Sequence, residues 1–182
     1  MIYQGFHGFY QEEDWGWTFT NVKGFFVPIF DENNKIQGLS IRLDNSFNGS
    51  DNLCFSSKDK INGTATKNFI SKSNITENTD TIILTDDLIL GNLIKDTINA
   101  PVIAFSRITN SYQILNILDK TNIKNIIFTI RKNKHQNLDY IINRVFKDLI
   151  PLGYNLETKY VSDYKDILKE DFLYLYKLEK VA

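Results

Sequence analysis

Hydrophobic and polar positions change rhythm along the chain near residue 80. Before that point apolar residues come in short bursts between turn-forming stretches. Phe25-Phe26-Val27-Pro28-Ile29-Phe30 is an aromatic and β-branched run, and Asp31-Glu32-Asn33-Asn34-Lys35 supplies turn chemistry. From Leu39 to Leu43 apolar and polar residues then alternate with period two. The spacing predicts a hairpin. In its second strand Leu39, Ile41 and Leu43 point one way, and Ser40 and Arg42 the other. Ile36 shares the parity of the polar set and belongs to the end of the turn. Pro28 has no N–H to give a neighbour, so its strand is expected at a sheet edge or a bulge. Residues 44–80 are rich in Asn, Ser, Asp, Gly, Thr and Lys, and read as loops with short strands near 53–55 and 67–70.

After about Asp80 the rhythm becomes strand, helix, strand. Thr81-Ile82-Ile83-Leu84-Thr85, residues 100–105 and residues 125–130 are compact apolar strands, with helices expected over 88–98 and 111–120. Leu138, Ile141, Ile142, Val145, Phe146, Leu149 and Ile150 recur at helical spacing, and Pro151 and Gly153 mark the end of that helix. Residues 154–161 read as a further strand and 163–170 as a short helix. Strands apolar on both faces and alternating with helices imply a parallel sheet covered by helices. The fold class is therefore α/β (α+β overall): an antiparallel β-rich module over residues 1–78, then a parallel-sheet module over residues 79–182.

The charge balance limits the partners. The chain has 182 residues with 42% hydrophobic and 24% charged, and its formal net charge is −1. No overall positive field draws it to nucleic acid, so any such site must be a local patch. Cys54 is the only cysteine, which excludes an internal disulfide and a cysteine-based zinc cluster; it is expected as a buried small hydrophobe. No apolar run approaches the roughly 18 residues that span a bilayer, and the first residues carry no basic segment followed by an apolar one. The expected location is cytoplasmic, with no membrane partner.

Candidate chemistry sits at strand ends. Asp86-Asp87 follows the first strand of the second module, where either acid could be a remnant metal ligand for Mg or Mn, or could cap the next helix. Arg131, Lys132 and Lys134, with His135, form a basic cluster that is either a phosphate-contacting patch or a solvated loop. The aromatic run Phe6, His7, Phe9, Tyr10, Trp15, Trp17, Phe19 could stack on bases, but fits core and interface better. His7 and His135 are far apart in sequence, and nothing pairs either with a nucleophile.

Gly24 to Asp31 followed by Lys35 to Arg42 resembles a pattern of bacterial and phage primases, in which a strand ending in Pro-Ile, an Asp turn and a Gly-centred strand ending in Arg open the catalytic core. Phe55-Ser56-Ser57, the following Lys58 and Lys60, and the Gly63-Thr64 turn extend the likeness, which is nearest to primase-like proteins of Firmicutes and their mobile elements. The resemblance implies that the second module is Toprim-like. It also favours Arg42, Lys58, Lys60 and Lys67 as a second basic strip in a nucleic-acid groove. Where the family has a catalytic Glu, this chain has Asp86-Asp87; where it has a metal-binding Asp-x-Asp pair, this chain has Arg131-Lys132-Asn133. Phosphoryl transfer on this fold needs carboxylates to hold divalent metal, so no catalytic residue and no bound metal are assigned. The expectation is a catalytically degenerate primase-like module, related to DNA replication on a mobile element such as a phage or plasmid, that binds nucleic acid or nucleotide. Two rivals stay open: a protein-binding inhibitor or scaffold derived from a primase core, and a metal-dependent nuclease or nucleotidyltransferase using Asp86, Asp87 and acids from elsewhere such as Asp163 or Asp166.

Overall fold

A computed structural model describes residues 8–13, 16–19, 22–47, 50–64, 70–105, 111–132, 143 and 146–165. The chain divides into two compact units: Met1–Asp31 with Lys35–Phe69, and Glu32–Asn34 with Ile70–Ala182.

The first unit is antiparallel throughout. β1 (Phe9–Glu12) pairs with β2 (Gly16–Phe19), and β3 (Gly24–Phe30), β4 (Ile36–Phe47) and β5 (Ser50–Cys54) form a three-stranded sheet in that order. The β3–β4 hairpin is the one the alternation anticipates. β3 lies at the sheet edge, and its register with β4 shifts between Ile29 and Phe30, so the strand carrying Pro28 has both the edge and the irregularity. Ile36 opens β4 instead of closing the turn and stays 62% exposed. Ile41, Leu43 and Phe55 form the buried cluster, flanked by Phe9, Val22, Leu39 and Leu53. Ser40, on the opposite face, is buried as well and donates its hydroxyl to the Leu53 carbonyl at 3.1 Å. Gly8 is required beneath Phe55: its φ is +83°, and a Cβ there would lie 2.1 Å from the ring.

The second unit holds a five-stranded sheet in the order β10-β9-β7-β8-β6. Its members are β6 (Ile70–Ser73), β7 (Thr81–Thr85), β8 (Val102–Phe105), β9 (Asn125–Arg131) and β10 (Asn155–Val161), with α1 (Leu88–Ile98) and α2 (Ser111–Leu118) between β7, β8 and β9. All pairings are parallel except β6 with β8. The sequence reading put residues 70–73 with the first module; their backbone instead completes the β8 edge, a long-range pairing that four short residues do not advertise.

The two helices cover opposite faces. Gly91 on α1 comes so close to β8 that an added Cβ would lie 2.4 Å from the Ala104 Cβ, on the face shared by Thr85 and Val102. α2 buries Ile114 and Leu118 against the other face, with Ile82, Leu84, Ile103, Phe105, Phe128 and Ile130. The helix expected over 138–150 lies largely outside the described residues; 143 and 146–149 are helical, and Phe146 and Leu149 join this cluster. Residues 164–165 form a single 3-10 turn, and the rest of the expected 163–170 helix lies outside the described residues. The chain runs from β7 to β8 on one side, then crosses back so that β9 pairs with the other side of β7. This reversal makes the carboxyl ends of β7 and β9 a topological switch point, where open α/β sheets form ligand crevices.

Candidate functional site at the carboxyl ends of the parallel strands

β7 ends in Thr85 and delivers Asp86 and Asp87, 5% and 3% exposed, to that switch point. Asp87 is the N-cap of α1. Its backbone is extended, and its Oδ1 accepts hydrogen bonds from the Ile89 and Leu90 amides at 3.0 and 3.3 Å. Its own amide donates to Thr85 Oγ1 at 3.3 Å. The other carboxylate oxygen, Oδ2, accepts from the Tyr164 hydroxyl at 3.0 Å and lies 3.7 Å from Arg131 Nε.

Arg131 comes from the end of β9, the strand beside β7. Its guanidinium carbon sits 4.7 Å from the centroid of the Tyr164 ring, within cation–π range. Asp87, Arg131 and Tyr164 thus form a closed group: the phenol donates to the carboxylate, and its ring covers the cation that neutralises the same carboxylate. Lys132 follows, exposed, with its amide donating to the Val161 carbonyl at 2.9 Å and its ammonium 5.9 Å from the Tyr160 ring centroid. Lys134 and His135 lie outside the described residues.

These contacts decide how Asp87 fits a divalent metal, which the primase resemblance would place here. One of its oxygens is engaged by two amides, and the other by a hydroxyl and a neighbouring guanidinium. A divalent ion takes several oxygen ligands and would meet like charge from Arg131. Asp87 does not fit a metal ligand in this arrangement. Among the described residues no group of three His, Cys, Asp or Glu side chains is placed to hold an ion.

The remaining basic candidates belong to the first unit. Arg42 is half-buried on β4, between Phe25 on β3 and Asn52 on β5. Lys58 is exposed in the turn after β5. Lys60 sits over the Tyr10 ring, 5.2 Å from its centroid, in a cleft of about 400 Å³ whose walls include Glu12, Glu13 and Asp59. Burial, and then the Glu12 carboxylate, push the Tyr10 phenol above its ordinary pKa. The surroundings of Lys60 are acidic, so its charge is largely balanced locally. Lys67 and His7 lie outside the described residues.

Ser57, within the Ser-containing segment of the resemblance, is buried; its hydroxyl donates to the Phe9 carbonyl at 2.6 Å and accepts from the Thr64 amide at 3.0 Å. It ties β1 to the Gly63-Thr64 turn. Tyr164 was missed by sequence reasoning, which considered Asp163 and Asp166 but not the phenol between them. The signal was positional: a residue just beyond β10 is delivered to the same sheet edge as the end of β9, its parallel neighbour.

An antiparallel β unit is followed along the chain by a mostly parallel sheet with a switch point. Solved structures show that this fold is primase-like. The chain is similar to a DNA primase domain from Pseudomonas aeruginosa (TM-score 0.64, 12% identity, covering 91% of this chain and 54% of that one). It is also similar to the zinc-binding and RNA polymerase domains of the Aquifex aeolicus primase (0.64, 11% identity, 90% and 41%). A third is a DnaG primase catalytic domain bound to single-stranded DNA (0.56, 10% identity, 91% and 56%). The chain spans about half the length of these proteins, and the likeness is one of fold. No family model matches the sequence, and no curated protein is similar to it.

Proposed function

We propose that this chain is a catalytically degenerate primase-like module, of the kind mobile elements such as phages and plasmids carry, that binds nucleic acid or nucleotide without transferring a phosphoryl group. The observation that carries the reading is the Asp87–Arg131–Tyr164 group. It puts an internal cation beside Asp87, whose two carboxylate oxygens are already engaged, at the strand ends where phosphoryl transfer would need open carboxylates. The primase-like fold supports a nucleic-acid ligand, and Arg131 and Lys132 supply cations at the switch point. A titration against single- and double-stranded DNA and RNA over a range of salt tests it. Affinity should fall with salt, at about 0.7 log units per log unit for each phosphate contacted on single strands and about 0.9 on duplex. No salt-dependent retention at low ionic strength would overturn the reading. A saturable, Asp86-dependent Mn²⁺ isotherm would overturn the degenerate state.

The second reading is a protein-binding module. It is favoured by a net charge of −1 and by Phe19, Phe25 and Phe26 on the first unit, which remain 46%, 53% and 46% exposed.

A further inference from the structure

We propose that the crevice between the carboxyl ends of β7 and β9 binds a phosphate group without a metal ion, with Arg131 as the contacting cation and Asp87 and Tyr164 as its positioning residues. This rests on the nucleic-acid or nucleotide reading above and adds to it the chemistry of the contact.

The argument begins with donor accounting. A guanidinium has five N–H donors in a rigid plane. In Arg131, Nε is sealed from solvent and faces Asp87 at 3.7 Å, beyond hydrogen-bonding distance. One face of the plane is covered by Tyr164. No hydrogen bond among the described residues occupies either Nη, and the side chain as a whole remains 18% exposed. Since Nε contributes nothing to that exposure, access lies elsewhere on the side chain. A guanidinium with one edge turned to a carboxylate and one face covered by a ring has its remaining donors left for a ligand. That is what planar, two-pronged recognition of a phosphate requires, and a lysine cannot reproduce it.

The usual alternative for an anion at such an edge is the helix N-terminus. Here it is taken: Asp87 accepts from the Ile89 and Leu90 amides. An arriving phosphate therefore meets Arg131, with Lys132 next along the chain. Asp86 and Asp87 balance Arg131 and Lys132 in formal charge, so the contact is directional more than long-range, and few phosphates are engaged. Asp87 acts in two opposed ways. It orients Arg131, which favours binding, and it carries a negative charge near the ligand, which disfavours it. The sign of a neutral replacement shows which effect wins.

The test is a fluorescence-anisotropy titration of the full chain with a labelled single-stranded oligonucleotide at low ionic strength, in EDTA and again in Mg²⁺. Wild-type binding should persist in EDTA and be no tighter in Mg²⁺, which competes for the phosphates. Arg131→Ala should weaken binding at least tenfold and lower the salt slope by about 0.7, and Arg131→Lys should restore the slope but not the affinity. Asp87→Asn keeps a capping residue, so the fold is retained, and should weaken binding. Tyr164→Leu should weaken it more than Tyr164→Phe, which keeps the ring. Thermal melts of each variant separate loss of fold from loss of contact. If Asp87→Asn tightens binding, Asp87 is only a nearby negative charge and the positioning claim is overturned. If EDTA abolishes wild-type binding, the metal-free contact is overturned while the nucleic-acid reading stands. If the wild type binds neither oligonucleotide nor ATP, that reading falls and this inference with it. Competition by ATP and inorganic pyrophosphate separates a nucleotide from a strand as the source of the phosphate, and either result supports the site.

Discussion

In the second unit, buried residues from β6 to β9, α2 and the helical segment ending at Leu149 form one cluster of twelve, and β7 is buried on both faces from Ile82 to Thr85. Among the described residues of the first unit, Ile41, Leu43 and Phe55 form a smaller cluster, Tyr10, Val27 and Ile29 are also buried, and several of the remaining contacts are between aromatic rings. Phe55 meets Phe9, Phe19 and Phe26 at centroid distances of 5.6, 6.1 and 5.0 Å, edge to face, while Phe19 and Phe26 each keep almost half their surface in water. A layered α/β unit excludes water by stacking helices on a sheet. A small β unit without that layer relies on a few large rings, each covering much area.

This contrast can be broken at its strongest point. Phe128, fully buried between Phe105 and Phe146, should cost about 3–5 kcal/mol on replacement by alanine, read from urea unfolding. Hydrogen exchange should show the protection loss on β7 to β9. Phe55→Ala should cost about 3 kcal/mol, at the low end of that range, because half-exposed Phe19 and Phe26 can settle into the space. Equal costs would mean the first unit is as tightly packed as the second. Asp87→Ala should cost about 2–3 kcal/mol, about half from the lost cap and the rest from leaving Arg131 without its carboxylate. Asp87→Asn keeps the cap but loses the same charge, so it should cost about 1–1.5 kcal/mol.

Gly91→Ala sets two known effects against each other. Alanine favours the helix by about 1 kcal/mol, but its Cβ would collide with that of Ala104, and such overpacking costs about 1–3 kcal/mol. A net loss of up to about 2 kcal/mol is expected; a gain would show that α1 can move off β8. The smallest effect is at Glu32, whose carboxyl is held below its ordinary pKa first by the hydrogen bond from Lys72 and also by its charge. The pair stabilises the fold above the ordinary glutamate value of about 4.3, and the contribution is lost as pH falls through the lowered folded value. Glu32 is more than half exposed, so the contribution is a few tenths of a kcal/mol. Glu32→Gln should narrow the difference in unfolding free energy between pH 7 and pH 3, read from urea titrations, by that amount.

What could be read in advance follows the range of the interactions. The three central strands were legible because each is a continuous apolar run, and the β3–β4 hairpin because alternation and turn residues are local. The β1–β2 hairpin was not anticipated: its aromatic density hides the alternation, and Tyr10 and Trp17 read equally as core or interface. Residues 70–73 were read with the first module because their partner, β8, lies some thirty residues downstream, at Ser73↔Val102 and beyond. At the site, Asp87 as a cap and Arg131 as a cation at a strand end were both visible in the sequence. Their pairing was not, since it depends on which strands are adjacent, and Tyr164 enters only through the spatial order of β9 and β10.

The strand order also governs the chain while it is being made. β7 ends up between β8 and β9, yet its pairing runs from Thr81 to Asn125, so one flank is completed long after the other. At ribosomal rates of about 5–20 residues per second, the second partner emerges roughly 2–9 s after β7 itself. Throughout that interval Ile82, Ile83 and Leu84 present an open row of backbone donors and acceptors beside apolar side chains, a template for pairing with any neighbouring chain. The strand that delivers Asp86 and Asp87 to the crevice is thus the one most exposed to misassembly during synthesis, and nascent chains stalled between β8 and β9 are the species in which chaperone capture should be greatest.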